Sequence, residues 1–80
     1  MKKITLTNKA RRKEYRGDYT ISLMATGLLE YLMEYFELAL SFTDQELFET
    51  VHFKESQEEV LNLLPEAEKA GYLTIENMGE

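Results

Sequence analysis

The chain has 80 residues, is 44% hydrophobic, and carries 9 basic and 15 acidic side chains for a formal charge of −6, which fits one small domain with a modest core. It has no cysteine, which excludes a disulfide framework and a thiolate metal site and points to a reducing cytoplasm. The charge is unevenly placed: residues 1 to 16 hold seven cations against Glu14 alone, a net of +6, whereas residues 17 to 80 hold Lys54 and Lys69 against fourteen carboxylates, a net of −12.

The start, Met1 to Lys9, lacks the apolar run of a secretory signal, and no later run approaches the roughly 18 residues of a membrane span, so a soluble cytoplasmic protein is expected. Ile4 and Leu6 alternate with polar neighbours as in a short edge strand. Residues 8 to 18 hold much of the positive charge, show no apolar periodicity and end in Arg16-Gly17-Asp18, which reads as a solvated arm or loop. Residues 1–18 are thus expected to be a basic arm with a short strand, and residues 19–80 the domain.

Ser22 is placed to cap a helix from about Leu23 to Glu37. At 3.6 residues per turn, Ala25, Leu29, Leu32 and Phe36 share one side, with Met24, Leu28, Tyr31, Tyr35 and Leu38 beside them; Thr26, Gly27, Glu30, Met33, Glu34 and Glu37 are left for water. So wide an apolar arc predicts a central helix or one with a second face for a partner. Tyr31 and Tyr35, one turn apart, read either as core packing or as a dimer or partner face. The carboxylates Glu30, Glu34 and Glu37 read as the wet side of the helix or as an acidic stripe facing a partner.

The run Leu38 to Phe42 predicts a small strand. Thr43-Asp44-Gln45-Glu46 is a capping box opening a second helix, about Asp44 to Val51, that buries Leu47, Phe48 and Val51. After a turn through His52 and Phe53, a second box, Ser56-Gln57-Glu58-Glu59, opens a third helix to about Ala70, with Val60, Leu64, Ala67 and Gly71 inward. Pro65 should kink or break it. Gly71 suits a left-handed helix end, and Tyr72 to Ile75 alternates like a strand.

The segment Ile21-Ser22-Leu23-Met24-Ala25-Thr26-Gly27-Leu28-Leu29-Glu30-Tyr31-Leu32 resembles the first helix of winged-helix domains in phage and plasmid replication initiators and related small phage proteins. Leu64-Pro65-Glu66-Ala67-Glu68-Lys69-Ala70-Gly71-Tyr72-Leu73 is similar to the end of their recognition helix and its passage into the wing. The resemblance spans about residues 19 to 76. It implies an α+β winged helix, with three helices and a minimal two- or three-stranded sheet. Glu80 lies about seven residues after Leu73, so the wing is expected to be truncated.

The third helix departs from DNA-reading chemistry. Opposite its apolar stripe lie Glu58, Glu59, Asn62, Pro65, Glu66 and Lys69, and carboxylates repel the phosphates whose neutralisation supplies most DNA affinity. The expected contact surface is therefore Glu55, Glu58, Glu59, Asn62 and Glu66, directed at a basic protein that handles nucleic acid. The resemblance to phage modules implies an inhibitor or recruiter, in the manner of an anti-CRISPR or replication-directed antagonist that imitates nucleic-acid charge. The alternative is a DNA-binding regulator or replication accessory protein that contacts phosphates through Lys9, Arg11, Arg12, Lys13 and Arg16.

No Gly-rich phosphate loop, catalytic triad or carboxylate pair in a cleft is visible. Ser22, Thr43 and Ser56 are explained as caps, and His52 has no second histidine with which to hold zinc. A binding protein with no metal, no cofactor and no enzymatic activity is expected.

Overall fold

In a computed structural model, which describes residues 1–79, the elements follow in the order β1 (Lys2–Leu6), α1 (Asn8–Arg11), α2 (Leu23–Phe36), β2 (Phe42–Thr43), α3 (Asp44–Thr50), α4 (Gln57–Lys69) and β3 (Leu73–Asn77). The described residues form an α+β domain of four helices on a three-stranded antiparallel sheet of order β2-β1-β3. The three helices expected from the sequence are α2, α3 and α4; α1 is additional.

β1 is the central strand, where an edge strand was expected. Ile4 faces both Phe42 and Ile75, and Leu6 faces Leu73. Ile4 and Leu6 are buried on one face, as period-two alternation requires. The partners that make β1 central lie about 40 and 70 residues away in the chain, beyond the reach of any local pattern.

The reading of residues 8–18 as a solvated arm is corrected as well. Thr7 caps α1 by accepting from the Ala10 N–H, and its own N–H donates to the Tyr72 carbonyl. Ala10 and Tyr15 are both fully buried, and the Tyr15 ring meets the Tyr72 ring edge to face at 6.0 Å. Only two anchors five residues apart enter the core, so no apolar period is legible in the segment. The turns between Ala10 and α2 use left-handed backbone at Lys13 (φ 60°) and Gly17 (φ 82°). Residues 1–18 belong to the domain.

α2 begins at its expected cap, with Ser22 Oγ accepting from Ala25 N–H. It buries Ala25, Leu28, Leu29, Leu32, Met33 and Phe36; Met33, assigned to water by the sequence, sits inside. The strand expected over Leu38 to Phe42 shrinks to Phe42–Thr43, where Phe42 stacks on Phe36 with ring centres 4.0 Å apart. Leu38 and Leu40 project outward instead, 97% and 89% exposed.

Both capping boxes form at the starts of α3 and α4. α4 is not broken at Pro65. The proline ring faces water, while Val60 and Leu64 before it and Ala67 after it are buried. That continuous inward stripe outweighs the single hydrogen bond that proline removes. Gly71, at φ 92°, ends the helix with paired bonds from Gly71 N–H to Glu68 and from Tyr72 N–H to Ala67, a Schellman closure.

Candidate protein-docking site

Four of the five cations expected on a free arm have partners within the chain, and three of them, Lys9, Arg11 and Arg16, reach the body. Lys9 Nζ donates to the Ala70 carbonyl at 2.8 Å and lies 4.6 Å from the centre of the Tyr72 ring. Arg11 donates to the carbonyls of Glu37 at 2.6 Å and Ala39 at 2.8 Å. Arg12 pairs with Glu14 at 2.6 Å, and Arg16 grips Glu30 through bonds of 2.5 and 3.1 Å. Of these five, Lys13 alone has no side-chain partner among the described residues.

The last turn of a helix leaves carbonyls unpaired and carries partial negative charge. α2 has no basic residue in its own last turn, and Arg11 reaches across from α1 to supply one; Lys9 adds a second cation, beside Lys69, at the end of α4. The short basic helix is thus a clasp on two helix termini. The hydrogen bond from Arg16 to Glu30 holds the glutamate below its ordinary pKa and raises that of the arginine.

The acidic residues divide into two groups. Glu66 accepts from the Ser22 backbone N–H at 2.7 Å and from its hydroxyl at 3.1 Å, joining α4 to the start of α2. Glu59 closes the capping box of α4 by accepting from Ser56 N–H at 3.1 Å. These two carboxylates each hold a backbone N–H of the same chain. Glu55, Glu58 and Asn62 are exposed and make no side-chain hydrogen bond among the described residues.

Tyr31 and Tyr35 lie outside the core, at 48% and 47% exposure, so the core-packing alternative does not hold. They stack on one another with ring centres 6.5 Å apart. Tyr31 meets Phe53 edge-on at 5.8 Å, and Phe53 meets Phe48 edge-on at 6.1 Å. Four rings form one ladder from α2, across the α3–α4 turn, onto α3.

Beside the ladder an apolar groove of about 150 Å³ opens between α2 and α4. Met24, Gly27 and Leu28 form its α2 side together with Tyr31; Val60 and Leu63 form the α4 side, and Phe53 with Glu55 closes one end. Gly27 has helical backbone, and a Cβ there would meet nothing within 4 Å. Glycine inside a helix costs about 1 kcal/mol relative to alanine, and the packing of this domain does not require it.

Tyr31 is legible on this face from helical spacing, whereas Gly27, Phe53 and Leu63 are not. The signal available was a glycine in the middle of a helix, flanked at its own spacing by Met24 and Tyr31. Elsewhere, Asp18 accepts from the Thr20 hydroxyl and from the Tyr72 hydroxyl. Those bonds hold the Asp18 carboxyl down at about 2, while burial and then Asp18 push the Tyr72 phenol up to about 12. No group of three or more metal-ligating side chains occurs among the described residues, and no described helix is long and apolar enough to cross a membrane.

Comparison with protein-family models, with curated proteins and with solved structures found no match to this chain.

Proposed function

We propose that this protein acts by binding another protein, through the aromatic ladder and groove on α2, the α3–α4 turn and α4. The carrying observation is the ladder Tyr35–Tyr31–Phe53–Phe48, exposed at the two tyrosines and half-buried at the two phenylalanines, beside an apolar groove. Aromatic side chains supply large contact area at little entropic cost, and clusters of them beside a pocket are typical anchors of interfaces. Leu23, Leu38 and Tyr19, each more than 90% exposed, extend the apolar surface at both ends of α2.

The scaffold reading is a winged helix. The order helix, strand, helix, helix, strand from α2 to β3 supports it, with β1 pairing to β3 where a wing hairpin would otherwise supply the neighbour. On that scaffold α4 takes the recognition-helix position and presents Glu58 and Asn62 to solvent. We assign the partner to basic proteins that handle nucleic acid, which the chain would inhibit or recruit from a cytoplasmic location.

The alternative reading, DNA contact through the basic segment, loses support from the clasp: Lys9, Arg11, Arg12 and Arg16 are already spent on carbonyls and carboxylates of the same chain. Freeing them for phosphates would uncap two helices.

The test is affinity capture from a nuclease-treated cell lysate, wild type against Tyr31→Glu, with retained proteins identified by mass spectrometry. Basic nucleic-acid-handling proteins held by the wild type and lost from the variant support the reading. Equal retention by both overturns it.

A further inference from the structure

Resting on the protein-binding reading above, we infer that the groove lined by Gly27 receives one large apolar side chain from a basic amphipathic helix of the partner. The missing side chain at position 27 gives the fold nothing, since a Cβ there would touch no neighbour. What it provides is depth between Met24, Tyr31 and Leu63. Apolar protein cavities of about 150 Å³ take up a benzene-sized group, and this groove has about that volume. One leucine, methionine or phenylalanine fills it.

Charge selects the rest of the occupant. Glu55 lines the groove, and Glu59, exposed although it also caps α4, lies one turn before Leu63. Lys54 is the sole cation between residues 17 and 68. A second copy of this chain would bring the same acidic rim against its own. A segment with lysines or arginines about one turn to either side of its apolar anchor meets carboxylates instead. The strip from Met24 to Tyr35 spans about 16 Å of helix, long enough for apolar residues spaced i, i+4 and i+7 on a docking helix to lie along it.

The experiment uses the full chain and a fluorescent peptide of about 15 residues, with leucines at i, i+4 and i+7 and lysines elsewhere, followed by anisotropy. A second peptide replaces every lysine by glutamate. Gly27→Leu fills the groove from within while improving the helix, and circular dichroism confirms that the variant is folded. Expected are saturable binding of the lysine peptide by the wild type, about tenfold or more weakening in Gly27→Leu, weakening in Glu55→Lys, and no binding of the glutamate peptide.

Equal binding by wild type and Gly27→Leu overturns the inference, as does equal binding of the two peptides. So does a wild type that ignores both peptides and sediments as a dimer broken by Gly27→Leu, because the occupant is then a second copy. If the lysine peptide fails while lysate capture still depends on Tyr31, only this occupant falls. If capture also shows no dependence on Tyr31, the protein-binding reading falls with it.

Discussion

Arg11 closes the end of α2 by donating to the Glu37 carbonyl at 2.6 Å, and it holds the Ala39 carbonyl at 2.8 Å with the same guanidinium. The contact joins a residue of the N-terminal segment to the terminus of the central helix, 26 positions later. It converts a patch of positive charge into a structural part.

Arg11→Ala therefore destabilises the domain. Loss of two charge-assisted bonds at a partly exposed helix end is worth about 1 to 2 kcal/mol, read as a lower midpoint in urea with an unchanged slope. A midpoint within error of the wild type contradicts the clasp.

Glu66 and Glu58 lie on the same helix with opposite assignments. Glu66→Ala removes the acceptor that holds the Ser22 N–H and hydroxyl and is expected to cost about 1 kcal/mol, as loss of an N-terminal cap does. Glu58→Ala should stay within about 0.5 kcal/mol of the wild type. Thermal melts of the two variants side by side check the ordering.

Gly27→Ala raises stability by about 0.5 to 1 kcal/mol, because the new methyl meets open space on helical backbone. A lower melting temperature would mean that position 27 is crowded or that its backbone departs from the helix.

The Asp18–Tyr72 contact works only with the carboxyl ionised and the phenol protonated. Asp18 is held down at about 2 by Thr20 and Tyr72, so its contribution is present above the ordinary aspartate pKa near 4 and is lost as pH falls toward about 2. Tyr72 is pushed up to about 12, so its contribution is present below pH 10 and is lost as pH rises toward 12. Tyr72→Phe should remove the alkaline flank of the stability-against-pH curve and only reduce the acid flank, where the bonds from Thr20 to Asp18 remain. Tyr15→Phe, whose hydroxyl has no partner among the described residues, should cost less than Tyr72→Phe at neutral pH. Urea melts between pH 2 and 12 test both statements.

What could be read from the sequence was what is settled within one helical turn. Ser22, the Thr43–Glu46 and Ser56–Glu59 boxes and Gly71 were legible because each cap bonds a backbone group a few residues away. The inward stripe of α4 was legible because its period outweighs Pro65. Hidden from such reading was whatever depends on distant partners. β1 became central only through Phe42 and Ile75, Arg11 found α2, and Glu66 found Ser22. The charge count separated a basic segment from an acidic body but could not show that Lys9 and Arg11 close helix ends through backbone carbonyls while Arg16 pairs with Glu30. Of the candidate site, Tyr31, Tyr35 and Glu55 were in hand; the groove needed α2 and α4 side by side.

The most direct measurement is site-specific photo-crosslinking in cells, with a photoreactive phenylalanine analogue at position 35 or, separately, at position 13. Expected is a defined adduct with a basic nucleic-acid-handling protein from position 35 and none from position 13. Adducts from position 13 alone would place the working surface on the basic segment and contradict the proposed docking site.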